Sequence, residues 1–268
     1  MALQTKLTNM TPVRDRLKLR TKLVSGGYSV RDILPDGSIT VLPWETTVSE
    51  WLAKRDVASE GETQTMLELT KQVTGLKEEV LARLPEGEIP MILMVSRALA
   101  FNEQKLMFSS QCPHCGRVHS NLSVKIPDDL TVVAQKSVDY PGYEPAVILP
   151  VCQDSVVFRP LLVADALAVE RQVREPDPLR GKIPESILRL ASAIVSVGGG
   201  APDSPKEAIM YLRALHPADV DFLGNAVAEA SPALSPVINL KCDNEDCAKD
   251  FKHVLSLRRD FFRPAGGV

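Results

Sequence analysis

The chain has 268 residues, 44% hydrophobic and 24% charged, with 34 acidic against 31 basic side chains and a formal net charge of −3. That is apolar enough to build a packed core and too evenly balanced for a global field that draws the protein to nucleic acid or an anionic membrane. No stretch approaches the roughly 20 uninterrupted apolar residues that span a bilayer, and the start, MALQTKLTNMTPVRDRLKLRTKL, has no apolar run of signal-peptide length, so synthesis in a cytoplasm with reduced thiols is expected.

Residues 1–37 are a basic N-terminal arm by composition. Arg14, Arg16, Lys18, Arg20 and Lys22 alternate with other residues, the pattern of an extended strand reaching a partner or of a solvated terminus. Residues 38–140 predict a first subdomain. Thr40-Val-Leu-Pro43 is a short strand, Thr47–Arg55 and Met66–Leu76 are amphipathic helices, and Met94-Val-Ser-Arg-Ala-Leu99 belongs to a third. Cys112-Pro-His-Cys115-Gly116 then leads into a strand alternating from Val118 to Ile126. The neighbouring acids Glu78-Glu79 and Asp128-Asp129 point apart on any regular element, which makes them solvated surface.

Pro141-Gly-Tyr-Glu-Pro145 cannot continue a helix or central strand and marks a boundary, after which residues 146–268 predict a second subdomain. Cys152, after the apolar run Val147–Val151, is expected to be a buried small hydrophobe. Val157-Phe-Arg-Pro160 is a strand, and Ala164–Arg171, Ile187–Val197 and Met210-Tyr-Leu-Arg-Ala-Leu215 are helical, with Phe222–Leu234 supplying a longer third helix and a loop. Cys242-Asp-Asn-Glu-Asp-Cys247 precedes an alternating strand, Phe251–Leu257, that runs toward Phe261-Phe262, a core strand end or a docking anchor. The order repeats that of the first half, at an offset of 117 for the strands (157 minus 40), 116 for the Arg-Ala-Leu helices (210 minus 94) and 130 for the first cysteines (242 minus 112). The expected fold class is α+β with an internal duplication, each half a strand plus about three helices and a Cys-bearing β-hairpin, joined by a zinc-ribbon-like four-cysteine site.

The cysteines carry the chemistry. Two thiolates separated by two residues on a tight turn can face one metal, and Gly116 tolerates the positive φ that such a knuckle needs after its second ligand. Tetrahedral zinc takes four ligands, so Cys112 and Cys115 call for a second pair, and Cys242 and Cys247 occupy the equivalent place. A closed shell of four thiolates leaves no position for water, which implies a structural Zn2+ and not a catalytic one. His114, His119 or His253 could each replace a thiolate. A thioredoxin-like redox motif is the other reading of Cys-Pro-His-Cys, but that motif opens a helix, whereas a strand follows here. No phosphate-binding glycine loop, His-Glu-x-x-His helix or Gly-x-Ser-x-Gly elbow is present, so no enzyme is expected and no catalytic residue is assigned.

Four features together resemble the baseplate hub proteins of T4-like contractile-tailed bacteriophages: Val157-Phe-Arg-Pro-Leu-Leu162, the Ile187–Val197 block, the Tyr211-Leu-Arg-Ala-Leu215 helix, and the closing Cys-pair hairpin that runs to Asp260-Phe-Phe-Arg-Pro264. The resemblance is closest over about residues 155–264 and looser over 38–130. It implies a non-enzymatic structural protein of the virion tail, assembled in the host cytoplasm, whose partners are other baseplate proteins in a symmetric multi-copy assembly, with no membrane partner. A tail assembly chaperone absent from the finished particle is the second expectation. A zinc-ribbon regulator touching nucleic-acid phosphates through Arg117, Lys125 and the basic arm is the third, disfavoured by the 5% aromatic content.

Overall fold

The computed structural model describes residues 18–54, 61–100, 105–125, 132–133, 144–174, 183–234 and 237–254. Strand β1 (Leu19–Lys22) pairs antiparallel with β2 (Ser38–Val41), Leu19 opposite Val41. Helices α1 (Thr46–Ala53), α2 (Glu62–Thr74), the single turn α3 (Glu78–Leu81) and α4 (Glu88–Ala100) follow. Residues 88, 89 and 91–96 of α4 are all buried, because the run Ile-Pro-Met-Ile-Leu-Met-Val leaves it no polar face over its first two turns and it becomes the centre of the first core. Val30, Ile39, Val41, Leu67 and Leu69 pack around it.

The expected N-terminal arm is in part a correction. Arg14 and Arg16 lie outside the described residues, but residues 18–37 join the first core: Leu23 and Val30 are buried there, β1 reaches β2 of its own chain, and Arg20 pairs with Asp36. The strand alternation was legible; its partner was not.

Strands β3 (Lys105–Gln111) and β4 (Val118–Lys125) form the first cysteine hairpin, and β5 (Val132–Val133) comes after it. The second half opens on β6 (Ala146–Ile148) and β7 (Ser155–Phe158), followed by α5 (Val163–Arg174) and α6 (Glu185–Ala193). Here the Ile187–Val197 helix is corrected: α6 ends at Ala193, and Ile194–Val197 is a strand, β8, on the free edge of β7 in the order β6-β7-β8. Two β-branched side chains in succession, Ile194 and Val195, cost helix but suit a pleated edge, and the open edge of β7 supplies the hydrogen bonds.

A second correction concerns the lengthened third helix, which is two helices, α7 (Pro205–Ala214) and α8 (Pro217–Ala230). Pro217 forces His216 into extended backbone (φ −65°, ψ 141°), and His216 Nδ1 then caps the new helix by accepting from the Ala218 N–H at 3.2 Å. Strand β9 (Ala233–Leu234) pairs antiparallel with β5, and the second cysteine hairpin, β10 (Val237–Lys241) with β11 (Asp250–Val254), closes the described chain. Phe261 and Phe262 lie outside the described residues.

The second core gathers Leu149, Phe158, Leu190, Leu212 and Leu223. The halves meet where Val163 and Ala164 donate backbone hydrogen bonds to Leu84 and Ala82, both at 2.9 Å, and where Arg189 pairs with Glu86. Among the described residues no helix is long and apolar enough to cross a membrane.

Candidate metal centre

Each hairpin presents a cysteine knuckle closed by a backbone hydrogen bond from its first cysteine to the residue two past its second. In the first, the Cys112 N–H donates to the Arg117 carbonyl at 2.9 Å and the Gly116 N–H to the Cys112 carbonyl at 2.9 Å, with Gly116 in the left-handed region at φ 74°. In the second, the Cys242 N–H donates to the Lys249 carbonyl at 3.0 Å, and Ala248, in Gly116's place after the second cysteine, is held at φ 44°. A side chain rarely adopts that conformation, so the fold accepts strain there to keep the turn. The two additional residues of the longer knuckle are taken up by Asn244, whose carbonyl accepts from Cys247 at 2.9 Å and Ala248 at 2.8 Å, and whose Oδ1 accepts from Asp246 at 3.2 Å.

The hairpins face one another, and all four sulfurs converge. Cys112 Sγ lies 3.9 Å from Cys247 Sγ and Cys115 Sγ lies 3.6 Å from Cys242 Sγ, with every pair within 4.8 Å, close enough for one metal ion. Metal–sulfur bonds of about 2.3 Å at tetrahedral angles require sulfurs about 3.8 Å apart, so the spacing and the soft, all-sulfur donor set fit a tetrahedral thiophilic ion. Cys112 and Cys242 are buried and form a small apolar cluster with Phe251. The thiols do not share one proton affinity. The Arg117 backbone N–H and the neighbouring sulfurs draw Cys115 down to about 7, whereas burial and the other thiols push Cys242 up to about 12. Four thiolates so close repel, and a dication between them removes that repulsion.

The three histidines near the cysteines each contact the opposite hairpin. His114 is exposed, with Nε2 at 3.3 Å from the Asp250 carbonyl. His253 stacks on Phe108, centroids 4.8 Å apart, and its Nδ1 lies 2.9 Å from Ser110 Oγ. His119 is buried against Phe251 at 5.6 Å, with Nδ1 at 3.2 Å from Asp243 Oδ1 and Nε2 without a hydrogen-bond partner among the described residues. Together with Cys242 and Asp243 it makes a second group of close potential ligands, which overlaps the four-sulfur set. Each histidine thus ties one hairpin to the other.

Cys152 is a correction: it is exposed in the β6–β7 turn. The fold uses its backbone, since Asp219 accepts from the Val151 N–H at 2.7 Å and the Cys152 N–H at 3.1 Å. The first half holds a counterpart, the fully buried Glu88, which accepts from the Val24 and Ser25 N–H groups of the β1–β2 connection. Neither carboxylate carried a sequence signal beyond its place in a helix's first turn. Asp243 was equally silent, although Arg117, two residues past its own knuckle, is its ion-pair partner at 2.9 Å.

A cleft of about 510 Å³ between the halves is lined by Glu62, Glu86, Glu170, Arg174 and Arg189. Four of these charges are engaged: Glu170 caps the α2 N-terminus through Thr63 and Gln64 and pairs with Arg174, and Glu86 pairs with Arg189.

A family model described as T4 bacteriophage base plate protein matches residues 28–263. No curated protein and no solved structure matches the chain.

Proposed function

The chain belongs to the T4 bacteriophage base plate protein family, and from that premise we propose that it is a non-enzymatic hub component of a contractile tail, held in shape by one structural zinc and acting through contacts with other baseplate proteins. The observation that carries the zinc is the convergence of four sulfurs from two hairpins, 127 residues apart in sequence for the Cys115–Cys242 pair, at tetrahedral spacing. Cys112, Cys115, Cys242 and Cys247 are its ligands in this reading. A site of this kind contributes roughly 10 kcal/mol or more of apparent folding free energy, on the scale of a domain's whole net stability. That suits a part that must keep its shape in a multi-copy particle. Arg117 supports the same assignment over a nucleic-acid regulator, because its guanidinium is engaged by Asp243.

We further propose that the halves descend from one duplicated unit. The residue after each opening hairpin, Leu42 or Arg159, donates to a carbonyl in the last turn of the second helix, Val73 or Ala193, at 2.7 and 2.9 Å. The carboxylate in the first turn of the last helix, Glu88 or Asp219, caps a turn between the opening strands. The offset there is 131 (219 minus 88), against 130 for the first cysteines. This register matches α4 to α8, so the Arg-Ala-Leu likeness of α4 and α7 is a coincidence of amphipathic helices.

Two measurements test the reading. Protein purified without added zinc is expected to hold one zinc per chain by plasma mass spectrometry, and quantitative proteomics of purified particles is expected to find the chain in fixed ratio to other baseplate proteins. A metal-free chain would remove the zinc. A chain made during tail construction yet absent from finished particles would make it an assembly chaperone.

A further inference from the structure

The longer cysteine knuckle carries a brace outside the sulfur cluster. We propose that Asp243 is a positioning residue for the metal, gripped by Arg117 and His119 of the first hairpin so that Cys242 is held at its ligand position. This rests on the zinc reading above. Asp243 follows Cys242 directly, and one oxygen, Oδ1, takes both contacts, Arg117 Nε at 2.9 Å and His119 Nδ1 at 3.2 Å. Arg117 immediately precedes β4 and His119 is its second residue, and both reach the same carboxylate oxygen. A carboxylate can only accept, so the Nδ1 that faces it carries the hydrogen. His119 is 5% exposed and packed on Phe251 of the second hairpin, so the gripping ring is fixed by its surroundings. The ligand atoms of His119, Cys242 and Asp243 all lie within 4.8 Å of one another, which puts the brace beside the Cys242 sulfur.

The difference between the knuckles explains why a brace is needed. The first is short, stiffened by Pro113 and tied by Gln111 Nε2 donating to the Gly116 carbonyl at 3.0 Å. The second has four residues between its cysteines, and the hydrogen bonds of Asn244 organise its Cys247 end. At the Cys242 end, the side-chain support comes from across the hairpin interface through Asp243. Outer-shell groups bonded directly to a ligand change metal affinity about 10- to 100-fold, and a brace one residue from the ligand, with its carboxylate 61% exposed, belongs at the lower end of that range.

Charge alone makes the opposite prediction. Four thiolates around a dication leave a net negative cluster, so deleting a nearby carboxylate should strengthen metal binding if Asp243 acts only as a charge. The full-length chain is titrated with Zn2+ against a chromophoric chelator, with folding at saturating zinc checked by circular dichroism. Asp243→Ala is expected to bind zinc about 10-fold more weakly than the parent. Asp243→Asn, which keeps an acceptor oxygen, is expected between the two and serves if the alanine variant does not fold. Glu245→Ala, an exposed acid on the same knuckle, is expected to leave affinity unchanged or slightly raised. The Arg117→Ala, Asp243→Ala double variant is expected to match Asp243→Ala. Parent-like or tighter binding by Asp243→Ala, or an equal loss in Glu245→Ala, overturns the positioning role while leaving the zinc reading intact. A parent that binds no zinc overturns both.

Discussion

Replacing Cys242 by serine takes one sulfur from the second hairpin, yet its effect is expected in the first half of the chain. In the proposed site the metal would close the 127-residue interval between Cys115 and Cys242. The part of the site's contribution that couples the two halves is the chain entropy of a cross-link over that interval, about 5 kcal/mol, against the ~5–15 kcal/mol net stability of a typical protein. At about 2–4 °C per kcal/mol for a chain approaching this size, the melting temperature should fall by roughly 10–20 °C. The chain supplies its own local reporter, since both tryptophans, Trp44 and Trp51, pack in the first core. Zinc content and a tryptophan-fluorescence melt of parent and Cys242→Ser therefore ask whether a change at residue 242 is felt near residue 44. Loss of zinc together with a lowered tryptophan transition is expected, while Cys152→Ser, at an exposed thiol outside the cluster, should alter neither. A Cys242→Ser protein that keeps its zinc, or whose tryptophan transition stays with the parent's, refutes the shared site.

Other perturbations read the supports of each half. Glu88→Gln leaves one N–H of Val24 or Ser25 facing an amide instead of a carboxylate oxygen, a cost of about 1–3 kcal/mol. Burial holds the Glu88 carboxyl above its ordinary 4.5, so the folded state keeps this proton longer than the unfolded one and the parent's stability from this group falls as pH rises from about 4.5. The denaturation free-energy gap between parent and Glu88→Gln should accordingly be wider at pH 5 than at pH 8; a gap that widens with pH contradicts the assignment. Asp219→Ala should cost about 1–3 kcal/mol in urea denaturation by orphaning the Val151 and Cys152 N–H groups, with the exposed Asp221→Ala as an unaffected control. Gly61 has φ 101°, and a Cβ there would meet Arg174 and Glu170, so Gly61→Ala should dislodge the Glu170 cap of α2 and lower stability by about 1–3 kcal/mol in the same assay.

Local spacing carried a good deal of this protein. The two-residue gap of Cys112 and Cys115, with Gly116 behind it, specifies a tight turn from its own backbone chemistry, and the apolar periods placed the strands and helices of the first half close to where they fold. The α+β class followed from that order. Elements failed where a neighbour outbid local preference. Ile194–Val197 continues a helical period, but the unfilled edge of β7 makes it a strand. Cys152 follows an apolar run, but the turn that feeds Asp219 two N–H groups turns its side chain to solvent.

What the amino-acid sequence determined by itself was the set of sulfurs, the character of each half and the family to which the motifs point, because each depends on residues a few positions apart. Tertiary structure alone decided which surfaces meet: that Cys112 faces Cys247 and Cys115 faces Cys242, that the N-terminal strand turns back onto its own chain, and that Asp243 falls between Arg117 and His119. Those contacts join residues as many as 135 positions apart. Only the packing of two hairpins around a common centre can set such distances.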